Sequence, residues 1–362
     1  MSGAGRVEAR RARVLRAVAI AGRIADPGDP LGSEARARLY EVTGLSREGI
    51  DLALSAHLET NPSDEDVDAL LASGEGEGAE RCYVVIAANV CTSALRAIAV
   101  ALSAAPSVVV RPSSRDPVLA EILARELAAD EAFRAAGGSI EVSREIHPAA
   151  GDELHVYGSD STVEALRAAN PGVLVRGHGT GLGIAVVGEA IDIREAARAV
   201  SRDVVPFDQR GCLSPRMVLV EGGEDRALEF GRALDEELCA LSIAVPRGEL
   251  DAGVLGEIAA YRATIESIGR YWPGEHHAVG VDPAPRALLL PPAARVVHVA
   301  PVSAGTAAAL IGPWARYITV VGADDDGRVV RAIRACVPNG RYSRLGAMQR
   351  PPLDGPVDRR PK

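Results

Sequence analysis

CYVVIAANVCTSALRAIAVALSAAPSVVVRPSSRDP, residues 82–117, is the stretch on which the fold turns. Residues 82–88 form a nearly unbroken apolar run ending at Asn89, and residues 107–110 form a second that closes on Arg111 and Pro112. Short runs of this kind, rich in valine, read as strands buried on both faces. Between them, residues 92–104 have helical composition and enough length to carry the chain back across a sheet. Strand, helix, strand is the crossover unit of a parallel sheet.

The alternation continues outward. A helix is expected over residues 116–129, a strand over 153–158 and a helix over 159–168. Two more strands, 172–175 and 183–187, flank a glycine-rich turn, and a helix over 193–202 leads into the turn 205–215. Beyond it come a strand at 217–220, amphipathic helices at 224–240 and 250–268, and strands at 295–299 and 315–321 with a helix between them. Upstream, residues 6–24, 33–40 and 46–57 read as helices, and Ser63 is placed to cap a helix over 64–72. The run 73–78, with three glycines, reads as a flexible break, and the proline-rich segment from 341 onward as irregular. The fold class is therefore α/β, with two domains.

Composition narrows the function classes. The 362 residues carry 40 Lys+Arg against 49 Asp+Glu, a net charge of −9, which offers no general basic surface to nucleic acid. No stretch is apolar enough for a membrane span, and no apolar signal core follows the arginine-rich amino terminus. Five cysteines, an odd number without metal-ligand spacing, fit a reducing cytoplasm better than a disulfide framework.

Several residues carry candidate chemistry, each beside a plainer reading. Cys212, on a turn between Pro206 and Pro215, is either a nucleophile or a small buried side chain. Asn89 ends a strand where parallel sheets place ligands, as an oxyanion donor or an ordinary turn residue. Arg111, followed by Ser113 and Ser114, offers a cation and hydroxyls to a ribose phosphate, or is a solvated strand end. Gly158-Ser159 opens a helix after a strand, the place where free N–H groups bind phosphate, though without a full glycine fingerprint. His178 is a proton-transfer residue or a structural histidine in a glycine turn. His276-His277 lack a third ligand at metal spacing and read as loop, Cys91 as packing, and Asp324-Asp325-Asp326 as a solvated turn; no metal is expected.

In this order the segments resemble the aldehyde dehydrogenase superfamily. Residues 84–117 resemble its cofactor-domain core, VYGSDSTVEALR (156–167) its next strand, turn and helix, with Gly158-Ser159 under the pyrophosphate. VRGHGTGLGIAVV (175–187) resembles the strand pair opening the catalytic domain, and QRGCLSP (209–215) the nucleophile turn. RYSRLGAMQRPPLDGPVDRRP (341–361) resembles the ending of LuxC-type acyl-CoA reductases, although Gly355-Pro356-Val357-Asp358-Arg359 departs from the family's Trp-Pro-His-Asp-Gly. The resemblance also matches Arg176 to the glutamate that activates water in acid-forming relatives, with Gly177 one residue away, and Val297 to the glutamate that holds the nicotinamide ribose.

The resemblance implies a helical segment and Rossmann-type NADP-binding domain over 1–174, a smaller α/β catalytic domain over 175–345, and a tail over 346–362. It implies NADPH-dependent reduction of an acyl thioester, carried by CoA or acyl carrier protein, to an aldehyde. Cys212 would be nucleophile, Asn89 oxyanion donor and His178 proton-transfer residue; Arg111, Ser113, Ser114, Gly158 and Ser159 would hold the cofactor. A homodimer or higher oligomer is expected. The rivals are an NAD(P)-dependent enzyme oxidising an aldehyde and a non-catalytic acyl- or partner-binding relative.

Overall fold

The computed structural model describes residues 3–74 and 78–360, so residues 75–77, half of the expected break at 73–78, lie outside the described residues. Four helices come first: α1 (Gly3–Ala25), α2 (Pro30–Thr43), α3 (Arg47–Ala56) and α4 (Asp64–Ser73). Their starts are written in the sequence. Asp29, Ser46 and Ser63 each accept a hydrogen bond from a first-turn amide, and Ser63 forms a reciprocal capping box with Asp66.

The next elements are β1 (Arg81–Val85), α5 (Ser93–Ala104), β2 (Ser107–Arg111), α6 (Val118–Ala129), α7 (Glu131–Ala135), β3 (Ser139–Val142), β4 (Glu153–Tyr157), α8 (Asp160–Ala169) and β5 (Leu174–His178). The five strands form one parallel sheet in the order β3-β2-β1-β4-β5. The order reverses between β1 and β4, which opens a crevice at their carboxyl ends. Cys82, Val84, Val108 and Val110 face a large core beneath α1, α5 and α6, while Tyr83, Val85 and Val109 face the opposite, thinner layer. Alternate residues of a strand point to opposite faces, which is why these runs are apolar throughout.

The second sheet takes β6 (Leu182–Val187), α9 (Ile193–Val204), β7 (Pro215–Glu221), α10 (Glu224–Ala244), α11 (Ala252–Ile268), β8 (Arg270–Pro273), β9 (Ala278–Val281), β10 (Val296–Val302), α12 (Ala304–Ile311), β11 (Ile318–Gly322), α13 (Arg328–Cys336) and β12 (Arg341–Ser343). Its seven strands run β12-β11-β6-β7-β10-β9-β8, parallel except for the β8-β9 hairpin. Val218 and Val220 pack toward α9 and α10, Met217 and Leu219 toward α12 and α13.

Four expectations change. Strand 174–178 pairs with β4, so it closes the first sheet, and the crossing to the second falls at residues 179–181. Strand β3 escapes a pattern reading because only Ile140 of its four residues is buried, as suits an edge. The strand expected from 315 begins at 318, after a 3-10 turn at Gly312–Tyr317. The carboxyl-terminal segment is irregular only in part: β12 joins the sheet edge, and Met348 and Leu353 beyond it are buried.

Candidate active site

The cysteine turn is built on unusual backbone. Phe207, Asp208 and Gln209 have φ of 56°, 51° and 63°, three successive non-glycine residues in the left-handed region. Such residues cost about 1–2 kcal/mol each and persist only where their surroundings impose them. Two buried side chains impose them here. Gln209 donates through Nε2 to the carbonyls of Pro215 (2.8 Å) and Val296 (3.0 Å), and its Oε1 accepts from Val296 N–H (2.9 Å). Asp208 pairs with Arg295 at 2.8 Å, both almost fully buried, and accepts from Gly248 N–H.

After this bend the chain turns sharply at Gly211, with Ser214 N–H donating to Gly211 carbonyl. Thr319 Oγ1, from β11, donates to the Cys212 carbonyl at 2.7 Å, and Gln349 Nε2 donates to Ser214 Oγ at 2.6 Å. Cys212 is left exposed at the surface of this turn, unlike the buried Cys82 and Cys91. Protein atoms nonetheless crowd its sulfur. Desolvation pushes the thiol up to about 11, Asp358 adds to the rise, and Arg360, the residue's own N–H and Arg96 offset part of it.

The first sheet meets this turn through the loop after β1. A Cβ at Gly211 would lie 3.1 Å from Val90 Cγ2, so the glycine admits the Asn89-Val90 loop against the Cys212 turn. Asn89 itself is exposed at the carboxyl edge of β1. At the same edge Arg111 ends β2, Ser113 Oγ accepts from Arg115 N–H, and Ser114 is exposed. Gly158 N–H donates to the His178 carbonyl, and Ser159 caps α8, its Oγ accepting from Thr162 N–H. Asp160, first residue of α8, gives its carboxylate to Thr180 N–H at 2.8 Å and not to its own helix. The proposed cofactor residues thus share one sheet edge, on both sides of the point where strand order reverses.

His178, at the end of β5, is buried. Its ring stacks on Tyr157 at 4.3 Å between centroids, with His155 edge-on at 6.4 Å. Arg176, two residues earlier, is committed: its Nε donates to Glu153 Oε2 at 2.9 Å. Burial alone would raise Glu153, but hydrogen bonds from His155 and Arg176 hold it down at about 2. The neighbouring position admits no side chain cheaply, since a Cβ at Gly177 would meet Val163 Cγ1 at 2.4 Å. Val297 is fully buried inside β10.

A cleft of about 260 Å³ lies between the two sheets, lined by Asp160, Arg167, Gly179, Tyr317, Asp358 and Arg360 among others. Asp358 and Arg360 were not anticipated by the sequence reading, nor were Gln209, Thr319 and Arg96. For Arg96 a signal existed: it is the single charge in α5, SALRAIAVALSA. It is buried and donates to Glu59 and to the carbonyls of Pro351, Pro352 and Gly355. A second cleft, of about 330 Å³ at the carboxyl ends of β7 and β10, contains none of these groups. Among the described residues no cluster of three His, Cys, Asp or Glu could hold a metal, and no helix is long and apolar enough to cross a membrane.

The fold is that of aldehyde dehydrogenases. An NAD-dependent benzaldehyde dehydrogenase from Corynebacterium glutamicum superimposes with a TM-score of 0.66 at 17% identity, over 94% of this chain and 80% of that one. A propionaldehyde dehydrogenase from the Clostridium phytofermentans fucose utilisation bacterial microcompartment gives 0.64 at 15%, over 96% and 84%. A Mycobacterium tuberculosis aldehyde dehydrogenase complexed with NAD+ gives 0.63 at 17%, over 93% and 77%. No curated protein matches the sequence. The acyl-CoA reductase (LuxC) family model matches residues 77–351, from just before β1 to the start of the proline-rich tail, and the chain belongs to that family.

Proposed function

We propose that the protein reduces an acyl thioester, borne by CoA or an acyl carrier protein, to an aldehyde through an acyl-enzyme on Cys212, with NADPH as reductant. The observation that carries this reading is Cys212 set on a rigid surface turn, with the Asn89-Val90 loop packed against that turn. Family membership supports the acyl donor.

The residues present fit a nicotinamide cofactor. The crevice between β1 and β4 is flanked by Asn89 on one side and Gly158-Ser159 on the other. With Asp160 turned onto Thr180, the amides opening α8 keep no carboxylate of their own, which suits a pyrophosphate. Arg111, Ser113 and Ser114, at the end of the adjoining strand, suit a ribose 2′-phosphate. When bound, the reduced nicotinamide supplies the hydride.

In the first half-reaction Cys212 Sγ gives up its proton and bonds to the thioester carbonyl carbon. The Asn89 amide and the Cys212 N–H receive the oxyanion; losing one such donor costs roughly 100- to 1,000-fold in rate. The carbon–sulfur bond to the carrier breaks, the departing thiol takes the proton, and the acyl group stays on Cys212. With a hydride supplied to the acyl carbon, the carbon–sulfur bond to Cys212 would break, the aldehyde would leave, and the Cys212 thiolate would take up one proton from solvent to restore the thiol. His178, stacked on Tyr157, serves this reading as a candidate for proton movement at the edge of the site.

The test is mass spectrometry of protein incubated with acyl-CoA, with and without NADPH. Acyl mass on the Cys212 peptide without NADPH, aldehyde with it, and neither in Cys212→Ala is the expected pattern. Aldehyde formation by Cys212→Ala at the wild-type rate would overturn the assignment. Acid formed from aldehyde and NAD+, with no activity on thioesters, would favour the oxidising dehydrogenase.

A further inference from the structure

The segment after β12 is a strap pinned to both domains. Asp203 accepts from the main-chain N–H groups of Gly346 (2.6 Å) and Met348 (2.9 Å), and His57 Nδ1 donates to the Gln349 carbonyl at 3.1 Å. Arg96 holds three strap carbonyls from α5, and Arg341 pairs with Asp354 at 2.8 Å. The strap then enters the cleft lined by Asp160, Gly179 and Tyr317. There Arg360 donates through Nε and Nη2 to the two oxygens of Asp358, at 2.9 and 2.7 Å. Its Nη1 donates to the carbonyls of Thr180 (2.8 Å), in the connection between the sheets, and Arg316 (2.6 Å), just before β11.

This pair abuts the nucleophile's support. A Cβ on Gly181 would lie 2.8 Å from Thr319 Oγ1 and 3.3 Å from Arg360 Nη2, and Thr319 Oγ1 is the donor that holds the Cys212 carbonyl. The charged groups acting on the thiol are Asp358 and Arg360 from the strap and Arg96 from α5.

We propose that the strap completes the nucleophile site, with Asp358 adding to the effect of burial that keeps Cys212 protonated in the resting enzyme and Arg360 supplying the opposing charge that favours deprotonation. Both are positioning residues. A carboxylate beside a thiol disfavours a second negative charge in a poorly solvated site, whereas a guanidinium, charged at any working pH, favours it. The two-point fork between them, with two carbonyls on the remaining nitrogen, fixes their balance by geometry. Any substrate anion that draws Arg360 away from Asp358, or any donor that neutralises Asp358, therefore alters the reactivity of Cys212. The proposal rests on Cys212 being the nucleophile and says nothing of the acyl group.

The test is the pH profile of Cys212 carbamidomethylation by iodoacetamide, followed on its own tryptic peptide. In this reaction the thiolate displaces iodide and forms a carbon–sulfur bond. Because Cys239 is also exposed, bulk thiol loss is not the readout. Asp358→Asn should move the midpoint down and Arg360→Met should move it up, each unit being a tenfold change in rate below the midpoint. Arg360→Lys should restore most of the loss. If Arg360→Met does not fold, by thermal melting, Arg360→Gln keeps hydrogen-bonding capacity without charge and takes its place. Shifts of opposite sign establish the pair's role. Unchanged profiles, or shifts of the same sign in both variants, would show that the strap is only structural. Because no acyl donor is used, that failure would leave the reductase reading standing.

Discussion

Gln209 ties the nucleophile turn to the second sheet, and its replacement has a calculable cost. The side chain is buried and makes three hydrogen bonds, to Pro215 carbonyl, Val296 carbonyl and Val296 N–H, between 2.8 and 3.0 Å. Gln209→Ala leaves three buried main-chain groups without partners. At about 1–3 kcal/mol each, and allowing for a water entering the space, the loss is about 3–6 kcal/mol. That is a large part of the roughly 5–15 kcal/mol that holds a typical domain together. A second, finer expectation follows from φ of +63° at this residue. Glycine occupies that region without the roughly 1 kcal/mol penalty that alanine bears, so Gln209→Gly should be more stable than Gln209→Ala. This reverses the usual order of the two residues. Urea unfolding followed by circular dichroism measures both, and the same samples, titrated with iodoacetamide, report whether the Cys212 turn has loosened. A cost below about 1 kcal/mol for Gln209→Ala would refute the argument that this side chain imposes the turn. Alanine more stable than glycine would refute the strain argument.

Burial pushes the Asp203 carboxyl up to about 7, against the amides of Gly346, Met348 and Gln349 that favour its charged form. Its folded proton affinity exceeds the unfolded one, so its contribution is full below pH 4 and is lost as pH rises through about 7. The difference in urea midpoint between wild type and Asp203→Asn should therefore change between pH 5 and pH 8, and a constant difference would contradict it. Arg111→Ala should weaken NADPH binding more than NADH binding, measured by fluorescence titration; equal losses would remove the case for a 2′-phosphate contact. Given acyl-CoA and no reduced cofactor, the wild-type protein should acylate once and stall, and steady release of free acid would mark it as a thioesterase.

The first sheet was legible because its strands are buried on both faces, so that residues 82–88 and 107–110 had to be continuously apolar. Edges were less so. β3 buries a single side chain and β12 has three residues, which leaves too little pattern to see. Of the candidate site, the residues at strand ends were readable because parallel sheets collect ligands there. The supporting groups were not. Gln209 and Thr319 act through main-chain carbonyls distant in sequence, and nothing local distinguishes them from other polar residues. The tail read as irregular since its order comes from Arg96 and Asp203, supplied by other segments, and from Arg341 at its own start pairing with Asp354.

The fate of an acyl-enzyme depends on whether water is activated before hydride arrives. Activation needs a carboxylate or imidazole with free basicity beside the thioester. The position matched to the hydrolytic glutamate holds Arg176, and the structure adds why it cannot simply be restored. Arg176 balances Glu153, so Arg176→Glu would set two carboxylates together in a buried site and unbalance the first sheet before it tested catalysis. The carboxylate that does approach Cys212, Asp358, has both oxygens engaged by Arg360. A carboxylate held in such a fork is a poor base, because taking a proton would forfeit a charge-assisted pair. The same pairing that tempers the nucleophile thus withholds a base from water. On the proposed reading, neither Arg176 nor the engaged Asp358 would activate water against a thioester on Cys212, which is the condition a reductase requires.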